Sequence, residues 1–399
     1  MGKPTLILDN GAYTAKVGFS NATEPRVIPN CIMKAKSERR RPFIGDQISE
    51  CRDASGLFYI LPFQKGYLLN WEAERNIWEY IFSKDCCPVN FSESCLVITE
   101  PYFNFASIQE AMTEILFEEY ECSSLLRINA GDLAVYRYLK DNPGEMCCLL
   151  VDVGYSFSHI VPYIKGKKVK AGIRRIDIGG KALTNHLKDI ISYRHLNVME
   201  ETYVMNQVKE DACFISQDFN RDMNEARGLL GKNSIVRDYI LPDYTTIRRG
   251  YLRQPEEAKE ESIQQQSLRL NNERFAVPET LFRPSDIGVN QMGLVEAAVH
   301  SIFHTSAIPQ ESQPHFTKNV LLVGGSTLFP GFHSRFEMEF RSMVPSEQDV
   351  RVVLPKDPIT YAWSGGALLA QDPKFHSMVV TREDFEEEGH QLCYDRFDV

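Results

Sequence analysis

Short apolar runs broken by glycine turns set the rhythm of this chain. Thr5-Leu6-Ile7-Leu8 is rich in strand formers, meets the turn signal Asp9-Asn10-Gly11, and resumes at Ala15-Lys16-Val17-Gly18-Phe19. That pattern predicts a β-hairpin. It returns at Cys148-Leu149-Leu150-Val151, with a turn through Asp152-Val153-Gly154 and a second run at Ser158-His159-Ile160-Val161. An apolar strand, Asp-x-Gly and a returning strand at 6–19 and again at 149–163 predict two similar lobes, each offering a turn. A third glycine turn, Gly324-Gly325-Ser326, follows the strand-like Val320-Leu321-Leu322-Val323. Between these runs lie helical patterns. Ile108, Met112, Ile115, Leu116 and Phe117 recur at helical spacing, and Ser107 and Glu110 have the spacing of a capping box. Alternating strands and helices give an α/β architecture.

Three stretches depart from that rhythm. Residues 34–41 are basic (Lys34, Lys36, Arg39, Arg40, Arg41) and read as a solvated loop. Residues 249–268, with Glu256, Glu257, Lys259, Glu260, Glu261 and Gln264 to Gln266, read as a surface insertion. Glu383 to Glu388 are acidic and expected to be exposed.

With 399 residues the chain exceeds one hydrophobic core, and about 100–200 residues per domain gives two domains or three. The 43% apolar and 25% charged content is that of a globular protein. A net charge of -10 excludes a free-standing nucleic-acid binder of the basic kind, so any DNA contact would use a local patch or a partner. No run reaches the roughly 18 apolar residues of a membrane helix. Met1-Gly2-Lys3-Pro4 runs straight into a strand-like segment, so no secretory signal is expected. The 10 cysteines include no Cys-x-x-Cys, and their places in apolar runs predict buried free thiols. Glu296, His300 and His304 fall four apart on a helical pattern, and a solvated face is favoured there over a metal site. The basic cluster Lys165, Lys167, Lys168, Lys170, Arg174 and Arg175 lacks the interleaved aromatics of base readout and is read as surface charge.

The chemistry concentrates in the three turns. Backbone N–H groups in glycine turns hold phosphates well, because glycine permits close approach. Asp9 and Asp152 end the two strands, and two carboxylates facing one cleft repel unless a cation lies between them. Mg²⁺ keeps several waters and is held by one or two carboxylates plus phosphate oxygens. Lys16, on the returning strand, can set its ammonium against a phosphate. The pattern is two lobes clamping Mg²⁺ and a polyphosphate. It is not a P-loop, since Gly-x-x-x-x-Gly-Lys-Ser/Thr is absent.

Asp9-Asn10-Gly11, Lys16 and Gly18-Phe19 resemble the first phosphate loop of the actin family. Asp152-x-Gly154 with His159 resembles the second, and Gly324-Gly325-Ser326 with Pro330-Gly331 resembles the adenosine motif. Thr99-Glu100-Pro101, Lys209-Glu210, Leu241-Pro242-Asp243, Asn272-Glu273-Arg274-Phe275 and Trp363-Ser364-Gly365-Gly366 follow in the family's order along nearly the whole chain. Residues 56–67, Thr99 to Phe105 and Met378 to Asp384 resemble the actin-related protein six subfamily more closely still. The resemblance implies the two-lobed actin-like ATPase fold shared with sugar kinases and heat-shock chaperones. It divides the chain into an outer lobe, 1–142 plus 357–399 with 31–66 as its small subdomain, and an inner lobe, 143–356. It implies ATP or ADP with Mg²⁺ in the cleft. Asp9, Asn10, Gly11, Ala12, Tyr13 and Lys16 would line one phosphate side, and Asp152, Gly154, Tyr155, Ser156 and Phe157 the other. Gly180, Lys209, Glu210, Gly324, Gly325, Ser326 and Phe329 would surround the nucleoside, with Asp9 and Asp152 holding Mg²⁺ through water.

The departures matter as much. Tyr13 stands where actin has glycine, and Ala12 where it has serine. Val153-Gly154-Tyr155-Ser156-Phe157 replaces Ser-Gly-Asp-Gly-Val. Asn129 stands where the family has the glutamine that orients the attacking water, beside His159, and Ile359 where it has a lysine near the adenine. A misplacement of about 1 Å costs on the order of 10²-fold in rate, so nucleotide binding with very slow or absent hydrolysis is expected. The segment after Asn30 is shorter and more basic than actin's, which argues against a homopolymer. By resemblance to the subfamily, the chain is expected to be a nuclear, non-catalytic subunit of a chromatin remodeller that exchanges a variant histone. The partners so implied are the remodeller ATPase, a small HIT-type zinc-finger protein, heterochromatin proteins and histones, with DNA met only within the complex and no membrane. The alternatives are a cytoskeletal ATPase that polymerises or caps filaments and, more remotely, a metabolic kinase of the same superfamily.

Overall fold

A computed structural model of the chain describes residues 4–38, 40–228, 233–254 and 265–399. Two six-stranded sheets form its frame. The first runs Val380–Thr381, Ser124–Asn129, Cys95–Glu100, Thr5–Asn10, Thr14–Phe19, Arg26–Pro29. The second runs Lys167–Lys168, Ser158–Ile164, Cys147–Val153, Val320–Val323, Val352–Val353, with Arg174–Ile176 also paired to Ser158–Ile164. The repeated sequence pattern becomes a repeated topology. Each hairpin's first strand pairs antiparallel with its return strand and parallel with a later strand, Cys95–Glu100 in one case and Val320–Val323 in the other. Asp9 pairs in register with Lys16, and Asp152 with His159. The central strands are covered on both faces, which is why they read as unbroken apolar runs rather than alternating ones.

Two large cores follow the two sheets. One gathers Leu6, Leu8, Trp78, Leu126 and Trp363, the other Leu149, Leu187, Phe316, Phe332 and Phe336. A smaller cluster of Tyr102, Ala134, Tyr138, Leu150, Tyr163 and Leu321 joins the helix Ala130–Asp141 to the second sheet. Another, of Cys31, Met33, Phe43 and Leu57, sits under the strands Ile32–Lys34, Pro42–Ile44 and Phe58–Ile60.

The structure corrects several sequence expectations. The strands run further than their apolar cores, so Asp9 and Asn10 lie in strand, as do Asp152 and Val153. The turns proper are 11–13 and 154–157. The Ser107–Glu110 capping box does not form. The helix begins at Ala106 with Phe105 as its N-cap, and the Glu110 carboxylate accepts the Tyr394 hydroxyl at 2.8 Å instead. The ends of the 249–268 stretch are strands, Tyr251–Leu252 and Ser267–Leu270, both paired to Arg237–Ile240. Its middle, 255–264, lies outside the described residues, as does Arg39 of the basic loop. No disulfide forms among the described residues, and Cys51, Cys86 and Cys87 are only half-buried. No helix among the described residues is long and apolar enough to cross a membrane.

Candidate functional site

The ends of the two hairpins and the third glycine turn open onto one cleft of about 540 Å³, within the roughly 300–1,000 Å³ of small-molecule sites. The first hairpin contributes Asp9, Asn10, Gly11, Ala12, Tyr13 and Lys16, and the second Asp152, Gly154, Tyr155, Ser156 and Phe157. Gly180 comes from the start of the helix Gly180–Arg194, and Lys209 and Glu210 from the helix Thr202–Ala212. Gly324, Gly325, Ser326 and Phe329 come from the third turn, and Ile359 completes that wall. Residues scattered from 9 to 359 in the sequence thus line one space.

The first loop is fixed from below. Asp9 accepts the Thr99 hydroxyl at 2.8 Å and meets the Lys16 ammonium at 3.1 Å. The Asn10 backbone N–H donates to the Thr99 hydroxyl at 2.9 Å, and its side-chain amide donates to Glu74 at 2.7 Å. Asn30 donates to both the Asn10 side chain and the Gly11 carbonyl. Glu74 is fully buried, and that burial pushes its carboxyl up to about 7 against the opposing Asn10 hydrogen bond. Gly324 has φ +94°, and a Cβ there would stand 2.5 Å from the Val153 carbonyl oxygen and 2.8 Å from an Asp152 carboxylate oxygen. Only glycine lets the third turn come this close to the second strand.

Asp152 points into the cleft with no hydrogen bond to its carboxylate among the described residues. Dehydration first, then the Asp9 charge, push it up to about 7, with Lys16 opposing. One lysine cannot neutralise two carboxylates. A hydrated divalent cation can, so Asp9 and Asp152 fit Mg²⁺ held through water, where the ion would neutralise phosphate charge.

The aromatic residues roof the cleft and leave it open inside. Tyr13 and Tyr155 stack from opposite lobes with centroids 4.8 Å apart and planes at 25°. The Tyr13 oxygen accepts from the Asn206 amide at 2.8 Å, and the same nitrogen donates to Glu210 at 2.7 Å. Burial pushes the Tyr155 hydroxyl up to about 12 and, with the Glu210 charge, raises Tyr13 as well, so both stay neutral. Lys209 lines the wall, but its ammonium is spent on Gly180 O, Thr184 and Asn206 at 3.2, 3.0 and 2.9 Å. It braces two helices and has no donor left for a base. Burial lowers its pKa accordingly.

The side on which water would be activated is differently built. Asn129 lies outside the cleft lining. Its amide donates to the Glu100 carbonyl at 3.0 Å, and its oxygen accepts Lys168 at 2.7 Å. Lys168 is held at 2.9 Å by Asp132, so the basic cluster read as surface charge includes one enclosed lysine. His159 is buried behind Phe157, edge-on to that ring at 4.5 Å and to Tyr102 at 5.0 Å. Burial first, then Arg175, push its imidazole down to about 3. Neither residue lines the cleft, and the His159 Nε2 is buried without a hydrogen-bond partner among the described residues. Elsewhere, His300 stacks on His304 and accepts from Arg174 at 3.1 Å, and no group of three or more His, Cys, Asp or Glu placed to ligate a metal directly occurs among the described residues.

The family model for actin matches residues 2–398. The chain belongs to the actin family. It is 51% identical to actin-related protein 6 of Drosophila melanogaster, covering 98% of this chain and 99% of that one. It is 38% identical to actin-like protein C08B11.6 of Caenorhabditis elegans, over 100% and 93% of the two chains. With actin-related protein 6 of Arabidopsis thaliana it shares 37% identity over 98% and 99%. The actin-family fold is one that binds a nucleotide with a divalent metal. In this actin-family chain, Thr99, Glu74 and Asn206 support the site without having been singled out for it. Glu74 carries a readable signal: it is an acid in the apolar stripe of the helix Trp71–Ile81, beside Ala73, Ile77 and Trp78. Asn206 precedes Glu210 by one helical turn, a spacing that puts both on one face.

Proposed function

We propose that this actin-family chain is a non-catalytic structural subunit of a nuclear ATP-dependent chromatin-remodelling complex that exchanges a variant histone into nucleosomes, and that it holds ATP as a structural ligand. One observation carries the non-catalytic part. The cleft is furnished for binding, while Asn129 is tied to Glu100 and Lys168, and His159 is boxed in by Phe157 and Tyr102. A general base must reach its proton within about 2.6–3.2 Å or through one water; both ends of the Asn129 amide are engaged, and the unpartnered His159 Nε2 is buried outside the cleft lining. Likeness to the proteins named actin-related protein 6 supports the complex. The partners proposed on that footing are a helicase-like remodeller ATPase, a small HIT-type zinc-finger protein, and heterochromatin protein or histones. A ligand bridging both lobes stabilises the closed form by about 2.7 kcal/mol at a hundredfold excess over Kd.

Affinity purification of the tagged full chain from nuclear extract, followed by mass spectrometry, tests the assembly. A remodelling ATPase recovered in near-stoichiometric amount is expected. Its absence, with the chain recovered alone or on filaments, overturns the proposal.

A further inference from the structure

We propose that the open edge of the second sheet, at Val352–Val353, is a docking site for an extended, acidic segment of a partner protein, which joins the sheet as one more strand. The proposal stands apart from the nucleotide cleft and does not depend on it.

Val352–Val353 is the last strand of its sheet and pairs on one side only, parallel to Val320–Val323. The Arg351 carbonyl accepts the Val320 N–H at 3.1 Å, and the Arg351 N–H donates to the Thr317 carbonyl at 3.1 Å. Residues 351 and 353 therefore turn their backbone groups to the sheet, and 352 and 354 turn theirs outward. Leu354 precedes Pro355, and a following proline holds a residue extended. His333 donates to the Val352 carbonyl at 2.9 Å. The Val352 N–H and both backbone groups of Leu354 have no hydrogen-bond partner among the described residues. An unpaired edge of this kind is a template for another strand.

The edge opens into a groove of about 830 Å³ that follows Arg351 to Lys356, roughly 20 Å of extended chain. Helices supply both walls. His333 comes from the helix Phe332–Met343, and Tyr138 and Asn142 come from the end of the helix Ala130–Asp141. Val352 packs into the large core of its lobe, and Val353 packs against the cluster that holds Tyr138, so these side chains alternate across the sheet as a strand's do. A segment laid on the edge continues the sheet between the two walls.

Charge selects the occupant. Arg351 holds Tyr138 and Asn142 through one nitrogen, at 2.8 and 3.2 Å, and its other donors have no partner among the described residues. Lys356 is exposed at the far end of the groove. The one carboxylate lining the groove among the described residues, Asp141, is already paired with Arg137 at 3.0 Å. Cations at both ends repel a basic segment and a second copy of this edge alike, and attract an acidic one. Between them Val353, Leu354 and Tyr361 are half-buried and offer apolar contact. Short strands, lysine and proline also serve to blunt an edge. Here Pro355 falls in the set that faces the sheet, so the open side keeps its donors.

The probe is a fluorescein-labelled peptide, Glu-Val-Thr-Val-Thr-Val-Glu, titrated into the full-length protein and followed by anisotropy. A lysine-ended counterpart tests charge. Two forms of the acidic peptide, N-methylated on one or the other alternating set of residues, test strand addition, because only one set can face the edge. The acidic peptide should bind, the lysine-ended one at least about tenfold more weakly, and one N-methylated form should lose about tenfold while the other keeps its affinity. Lys356→Glu, with an unchanged unfolding midpoint, should weaken the acidic peptide roughly fivefold. The Val352 and Leu354 amides should exchange more slowly in the complex. No binding up to about 1 mM, equal binding of the lysine-ended peptide, or an unaffected Lys356→Glu overturns the acidic docking site. Equal effects of the two N-methylated forms overturn strand addition. A free protein that sediments as a dimer, and loses protection at these two amides on dilution, gives the edge to a second copy and likewise overturns the proposal.

Discussion

Replacing Asp152 by asparagine is expected to stabilise the ligand-free protein at pH 8 and to remove most of the benefit it draws from Mg²⁺. The carboxyl is pushed from an ordinary 3.8 to about 7 by dehydration and by Asp9. A folded pKa above the unfolded one means the native state binds the extra proton. Stability therefore falls as pH climbs from about 4 to 7 and levels off above. At about 1.4 kcal/mol per pKa unit the charged form costs up to about 4 kcal/mol, less what water in the cleft recovers. A neutral amide in its place carries no such charge. Urea midpoints at pH 5 and pH 8 read the difference. The parent should lose stability between them, and Asp152→Asn should lose less, the remainder being Glu74, also pushed up to about 7, set against His159, whose imidazole is pushed down to about 3 and acts in the opposite sense below about pH 6.5. A parent equally stable at both values would contradict this electrostatic picture. The same carboxylate must be ionised to hold Mg²⁺, so Mg-dependent stabilisation by nucleotide should grow as pH rises through about 7 and be largely missing in the variant.

Glu100→Ala is expected to cost about 3–5 kcal/mol, because it strands a buried guanidinium. Arg127 and Glu100 are 1% and 0% exposed and meet at 3.3 Å, and Asn104 and Gln109 also donate to the Glu100 carboxylate. The Glu100 carbonyl holds Asn129, so the damage reaches the closed side of the cleft. Replacing both charges by methionine should recover most of the loss, since an apolar pair removes the stranded charge. Chemical unfolding of the two variants checks this. A loss below about 1 kcal/mol in Glu100→Ala would mean that the pair is no more than a solvated surface contact.

The fold was legible where local pattern and tertiary demand agree. The two Asp-x-Gly hairpins and the third glycine turn were readable because apolar strands and tight turns leave period and composition signals. They converge on one cleft because each ends a central strand of its sheet. The capping box at Ser107 misled because spacing does not reveal that Glu110 is claimed by Tyr394, 284 residues later. Lys209 lines the cleft, and what its place in the sequence does not reveal is that Gly180, Thr184 and Asn206 absorb its donors, which depends on how two helices pack. Asn206 stayed silent because its task is to meet Tyr13, 193 residues away across the cleft.

The central claim is that two lobes grip a nucleotide and leave it uncut. The most direct measurement is a single-turnover experiment in which purified protein is mixed with equimolar labelled Mg-ATP, freed of unbound label, incubated, and denatured to recover the nucleotide. The account predicts about one label per chain, recovered as triphosphate after a period in which filamentous actin would have converted its own to diphosphate. Failure to retain label, or recovery as diphosphate on actin's timescale, would contradict it.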